Sequence, residues 1–321
     1  MKRIVVIVVA AIVAAHAVPA RADDYPTRTI RFVVPYAAGG GTDALARFLA
    51  VGMEKRLGQP VIIENKPGSG TTTGGLFVAK STPDGYTLLM ATSSTVAIAP
   101  SIYKNLAYDP VADFTPITMI AQVPFVLTTH PSLGAATVDD LVRIVRAKAG
   151  GWSYASGGAG SPHHVFMELF KSMTGLDIKH VPYRGGGPAQ QDVVAGHVPI
   201  MFADIGPATE LMRGGKLTLL AVTTAKRSEI VPHVPTLDEA GVKGYEANSW
   251  QCVVGPAKMP AAIVMRLNKV LAEVVQEPAS QAHFQRIGMQ AGTSTPAENG
   301  AHIKSEVARW AKVIDSIETI K

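Results

Sequence analysis

Short β-branched runs alternate with longer amphipathic segments along this chain, and the pattern runs through twice. That alternation restricts the fold to α/β: mostly parallel sheets with helices on both faces, because each strand must bury itself against helix stripes. In the first set, 29–36 and 61–65 read as strands around a helix at 42–57 that stops at Gly58. A helix up to Lys80, a Pro83-Asp84-Gly85 turn, a strand at 87–92 and two apolar runs, 117–122 and 125–129, follow. The second set reads as a helix at 138–149, a strand at 152–156, and a helix at 162–174 with Pro162 at its start and Gly175 past its end. It continues with a strand at 178–183, a helix at 188–195, strands at 199–203 and 217–224, and a strand-like run at 245–255. Two helices, 261–276 and 296–317, form a tail. If the chain returns to the first set near residue 252, residues 23–124 with 252–321 form one lobe and 125–251 the other. A cleft then lies between two lobes joined by crossing strands; the alternative is one continuous sheet.

The first 22 residues stand apart. Met1-Lys2-Arg3, an apolar stretch at 4–15 and Ala20-Arg21-Ala22 are the three parts of a secretory signal. The stretch is well short of the roughly twenty apolar residues that a spanning helix needs. Cleavage is expected after Ala22, with Ala17 and Ala20 as alternatives, which places the mature chain in the periplasm and outside the bilayer. Losing Lys2, Arg3 and Arg21 leaves 27 basic against 25 acidic residues, so the net charge falls from +5 to +2. With only 6% aromatics as well, the chain lacks both the basic footprint and the stacking surface of a nucleic-acid binder. Cys252 is the single cysteine, so no intramolecular disulfide forms, and its apolar setting reads as a small buried hydrophobe.

Two glycine-rich loops carry the strongest binding signal. Tyr36, Ala38, Gly39, Gly40, Thr42 and Asp43 lie where the first strand passes into a helix; Ser156, Gly160 and Ser161 occupy the same place in the second half. Glycines let a ligand approach the backbone, and a helix start offers unpaired N–H groups and a positive dipole end, which suits an anion. In open α/β sheets such loops sit at the carboxyl ends of strands, where ligands bind. Thr42 or Asp43 is placed to cap the first helix, and Ser161 the second. Other strand ends add Thr72, Ser93, Arg184 and Asp204. Hydroxyls suit a carboxylate or a hydroxyl-bearing ligand, and an arginine clamps a carboxylate with two parallel bonds. His163 and His164 are neighbours on a helix and point about 100° apart, so they do not readily share a metal. One of them is placed to touch ligand, and no metal or other cofactor is expected.

Motifs for catalysis are missing. No Walker loop or GxGxxG fingerprint follows the first strand, and neither GxSxG nor HExxH occurs. The chain therefore reads as a binding protein rather than an enzyme.

The ordered set of short motifs resembles the Bug/TctC family, the extracytoplasmic solute receptors of tripartite tricarboxylate transporters. The matching pieces are Tyr25-Pro26, IRFVVPYAAGGGTD at 30–43, ENKPG at 64–68, PDGYTLL at 83–89 and YAS with Gly160-Ser161 at 154–161. HVPYRG at 180–185, LAVT at 220–223, VPT at 234–236 and EAG at 239–241 complete them. The resemblance implies a type II periplasmic binding protein, two α/β lobes closing like a Venus flytrap on a di-, tri- or aromatic carboxylate. It further implies that backbone N–H groups and ordered water from loops 36–43 and 156–161 hold the ligand. The implied partners are a large and a small membrane subunit, with the receptor itself a monomer. The chain departs from the family pattern at 68–75 (GSGTTTGG), after Trp250 (Gln251-Cys252), and at His163, where relatives often carry Gly, so no relative's ligand transfers directly. The same closure would serve docking on a signalling ectodomain. A secreted hydrolase would need an activated nucleophile, and none can be named.

Overall fold

The computed structural model describes residues 25–315 and residue 317; the signal segment expected at 1–22 lies outside them. The first elements are β1 (Ile30–Val34), α1 (Gly41–Leu57), β2 (Val61–Asn65), α2 (Thr72–Ala79), β3 (Thr87–Thr92), α3 (Ala99–Ile102) and β4 (Phe114–Val123). Then come β5 (Phe125–Thr129), α4 (Val138–Ala147), β6 (Ser153–Ser156), α5 (Pro162–Thr174), β7 (Lys179–Pro182), α6 (Gly186–Val194), β8 (Ile200–Asp204), α7 (Ile205–Arg213) and β9 (Thr218–Val222). The chain closes with β10 (Ser249–Pro256), α8 (Ala261–Gln276), α9 (Pro278–Arg286), β11 (Gln290–Ala291) and α10 (Pro296–Asp315).

The strands form two sheets, ordered β11-β4-β10-β3-β1-β2 and β7-β6-β8-β5-β9. This is a mixed α/β fold with two sheets, as the alternation predicts. Parallel pairing is less dominant than the alternation alone suggests. Around β1 and β6 the neighbours are parallel, whereas β10 and β5 run antiparallel to both of theirs. The reason is connectivity. β4 and β5 are separated only by Pro124, so the chain leaves the first sheet and enters the second in one path; β10 is the strand of return. These two entering strands run away from the crossing, and their partners run toward it. The carboxyl ends of β1, β2, β3, β6, β7, β8 and β9 therefore converge on the space between the sheets. Ser249, Trp250 and Gln251, expected with the second unit, pair with β4 and belong to the first sheet.

The two crossings are tied together. The Thr223 hydroxyl meets Phe125 N and O, each at 3.2 Å, and Ala247 N donates to Thr223 O at 2.9 Å. α10 packs on β4 and reaches the second sheet's layer, where the Trp310 ring stacks on Phe166 of α5 at 5.7 Å. The indoles of Trp250 and Trp310 both donate to Glu306, at 3.1 and 3.2 Å. Cys252 is free and fully buried, and burial pushes its thiol up to about 12. α1, α5 and α8 occupy the spans that periodicity marks out for them. α7 and α9 were not legible in that way: α7 begins directly at the end of β8, and α9 follows α8 across only Glu277. Among the described residues no helix is long and apolar enough to cross a membrane.

Candidate functional site

On the first sheet's side, the loop between β1 and α1 is built by a carboxylate that points inward. Asp43 is 3% exposed and accepts from Gly39 N at 2.9 Å, Asn65 Nδ2 at 2.9 Å and Arg47 Nε at 3.0 Å. Asn65 also donates to Tyr36 O at 3.0 Å. Burial pushes the Asp43 carboxyl up, but these donors outweigh it and hold it below the usual carboxylate range. Thr42 accepts from Gln251 Nε2 at 3.1 Å. Neither Thr42 nor Asp43 therefore caps α1, contrary to the expectation from their positions. The cap residue is Gly40, which has no side chain to spend, so the first amides of a seventeen-residue helix carry no side-chain cap. Ala38, Gly39 and Gly40 are exposed along the loop.

Beneath that loop lies a hydroxyl cluster. The Tyr36 hydroxyl meets Thr92 Oγ1 at 3.2 Å, Thr92 meets Thr95 at 3.3 Å, and Thr95 donates to Thr71 Oγ1 at 2.9 Å. Burial raises the Tyr36 phenol, Thr92 and Ser94 temper the rise, and the charge of Asp204 on the other sheet adds to it. Tyr36 is thus a neutral hydroxyl at neutral pH. A π-helical turn, Ser94–Ile98, follows β3 across Ser93, a deviation that recurs at functional sites.

The second sheet's loop is arranged differently. Ser161 caps α5, accepting from His164 N at 3.4 Å, and donates to Gly158 O at 2.7 Å. Ser156 accepts from Gly158 N at 3.1 Å and meets His180 Nε2 at 2.5 Å. Gly160 N donates to His164 Nδ1 at 3.2 Å. His164 stacks on His180 at 4.2 Å, and burial with that neighbour pushes its imidazole down to about 4. His163 points elsewhere, toward Asp204 Oδ2 at 3.4 Å. The two histidines diverge as adjacent helix positions must. The α6 and α7 starts, at Gly185 and Asp204, have no side-chain cap.

The two sides touch at both ends. A Cβ on Gly70 would fall 3.1 Å from Ala159 O, and one on Gly160 would fall 3.6 Å from Tyr103 Oη. At the other end Gly206 of α7 packs backbone to backbone on Ile287 and Gly288, so closely that a Cβ there would lie 2.4 Å from Ile287 O. Of the residues expected at the site, the structure links Tyr36 of the first sheet's side with Asp204 of the second, and Asp204 with His163. It does not bring Thr72 or Ser93 in openly. The Thr72 hydroxyl turns back to Ser69 O, lining a groove of about 750 Å³ on the first sheet's side alone. Ser93 is wholly buried and paired with Ser249 at 3.0 Å. Arg184 is exposed and makes no ion pair among the described residues.

Three further positions escape a sequence reading. Gln251 is buried on β10 beside Thr92, reaching Thr42. Thr71, β-branched with φ at 84°, is held in the left-handed region by its bond from Thr95; such strain costs about 1–3 kcal/mol and gathers at functional sites. The Gly206–Gly288 contact is the third. The cluster of Thr and Gly at 68–75 hinted at Thr71, and the departure at Gln251-Cys252 after Trp250 at Gln251.

Comparison with known proteins places this geometry. The family model described as "Tripartite tricarboxylate transporter family receptor" matches residues 45–319. The solved structure of R. palustris Rpa4515 with adipate is 37% identical, with a TM-score of 0.87, covering 92% of this chain and 98% of that one. Periplasmic binding protein BugD is 33% identical with a TM-score of 0.86, covering 91% and 98%. MatC from Rhodopseudomonas palustris with bound malate is 31% identical with a TM-score of 0.85, covering 90% and 100%.

Proposed function

Because the chain belongs to the tripartite tricarboxylate transporter receptor family, we propose that it captures a small carboxylate between its sheets and delivers it to a tripartite permease. This is a family of periplasmic solute receptors, not of enzymes. The observation that carries the ligand class is the start of α1, which follows the carboxyl end of β1 and whose first amides have no side-chain cap. A carboxylate there is favoured both by the free N–H groups and by the helix dipole. Adipate in Rpa4515 and malate in MatC support the same class.

We assign Ala38, Gly40 and Thr42 to ligand contact through their backbone, and Tyr36 through its hydroxyl. Asp43, Ser93, Ser156 and Ser161 act by positioning, since their side chains are spent inside the protein. The lobes in this reading are 23–124 with the return from β10 onward, and the segment between. Ligand bridging both lobes stabilises the closed state and not the open one. The closed receptor, exported after cleavage behind Ala22 and monomeric, then docks on the large and small membrane subunits. Calorimetry of the mature protein against a panel of carboxylates, sugars and cations tests the ligand class. Carboxylate binding is expected; a sugar or cation as the sole ligand would sink the reading.

A further inference from the structure

The second sheet's side of the cleft carries an acceptor, and that narrows the ligand. Asp204 ends β8 and precedes α7, yet its carboxylate does not cap that helix. Its side chain is 42% exposed, and its charge is felt by Tyr36 on the opposite sheet. Behind it sits His163, only 7% exposed, with neither ring nitrogen in a hydrogen bond. The imidazole is wedged between the edge-to-face ring of Phe125 at 5.0 Å and two backbone segments. A Cβ on Gly157 would fall 3.1 Å from Nδ1, and one on Gly186 would fall 2.8 Å from Nε2 and 3.2 Å from Asp204 Oδ2. The ring is therefore fixed with Nε2 aimed at Asp204, within ion-pair distance but out of hydrogen-bond alignment. Buried imidazoles ordinarily find partners. Here the partner within reach is one carboxylate oxygen of a group that faces the cleft, and Oδ1 of that group remains for a ligand.

We propose that His163 and Asp204 form an acceptor subsite, so that the ligand is a carboxylate whose other end is a hydrogen-bond donor, a hydroxyl or an ammonium, and not a second carboxylate. The inference rests on the carboxylate reading above. In the closed cleft a hydroxyl accepts from the Tyr36 hydroxyl and donates to Asp204; an ammonium donates to both. A second carboxylate in that place would face the Asp204 charge with little water between them, where like charges repel far more than in bulk. A methyl would leave Asp204 desolvated and unpaired. His163 acts through Asp204 as a positioning residue, and Gly186 leaves the space in which the ring meets the carboxylate.

The test is calorimetry on the mature protein at neutral pH, using sets matched in length. One set is succinate, gamma-hydroxybutyrate and gamma-aminobutyrate; another is adipate, epsilon-hydroxycaproate and epsilon-aminocaproate. In at least one set a donor-ended member should bind about tenfold or more tighter than its dicarboxylate, and the better of the two tells hydroxyl from ammonium. Asp204→Asn should shrink that ratio by about tenfold, mainly by tightening the dicarboxylate, a gain that misfolding does not imitate. His163→Phe should weaken the donor-ended ligand by more than it weakens the dicarboxylate, so that the ratio between them falls. A dicarboxylate that ties or wins in every set, or a ratio that Asp204→Asn leaves alone, overturns the subsite and spares the carboxylate reading. Binding by none of the carboxylates overturns that reading, and the subsite with it.

Discussion

Gly40 is a position at which one substitution should separate ligand binding from stability. Its backbone lies at φ −84° and ψ 170°, open to any residue, and an added Cβ would meet nothing nearer than Ala37 O at 4.0 Å. Gly40→Val should therefore fold, losing up to about 1 kcal/mol at the cap position. It should nevertheless bind its carboxylate roughly tenfold or more weakly, because the side chain stands over the α1 amides. Calorimetry beside a thermal melt separates the two effects, and unchanged affinity removes this loop from the site. His164 gives a pH signature. Its folded pKa, about 4, lies below the ordinary 6.5, so the unfolded chain binds the extra proton first. Stability from this group is whole above pH 6.5 and declines as pH falls toward 4, by up to roughly 3 kcal/mol. Melts of His164→Gln should show a shallower decline over that window than the parent, with His180, also lowered by burial, supplying part of what remains.

α1 and α5 look equivalent in the sequence, each opening after a strand and a run of glycines, yet their starts are used in opposite ways. Ser161 closes the α5 start, while Gly40 leaves the α1 start open. Ser161→Ala should cost about 1 kcal/mol of stability in denaturant unfolding and leave affinity within about twofold. A large loss of affinity would return Ser161 to the ligand. Much of this level was legible beforehand: Pro162 and Gly175 bound α5, and Gly58 ends α1 in the left-handed conformation. The cap at Ser161 was legible too, because capping is a contact between near neighbours. The inward turn of Asp43 was not, since its partners Asn65 and Arg47 come from a different strand and the next helical turn. Nor was the difference between Thr71 and Thr72, adjacent residues of one type that a tight 3-10 turn points in different directions.

For the molecule as a whole, the proposed closure is tested at a place where the backbones of the two sides meet directly. With Gly206 against Ile287 and Gly288, any side chain at 206 collides with backbone and not with a flexible tip. Gly206→Val should hold the lobes apart. Small-angle scattering should show the parent contracting on addition of ligand and the variant failing to do so, with affinity down about tenfold or more. Contraction of the variant to the parent's dimensions would show that this contact is not part of closure. Trp310 offers the contrasting case: wholly buried, stacked on Phe166 and bonded to Glu306, it should cost about 3–5 kcal/mol as Trp310→Ala in denaturant unfolding.

By itself, the order of residues determined the α/β class, the two repeats of the pattern, most helix spans, the glycine-rich strand ends and the motifs shared with a receptor family. Those are properties of local conformational preference and of burial along one element, and they survive in a linear string. Tertiary structure alone decided that β5 and β10 run against their neighbours, that Ser93 is buried while Asp204 is open, and that His163 is aimed at Asp204. Each of these depends on a contact between residues far apart in the chain, whose free energy exists only once the two sheets face one another.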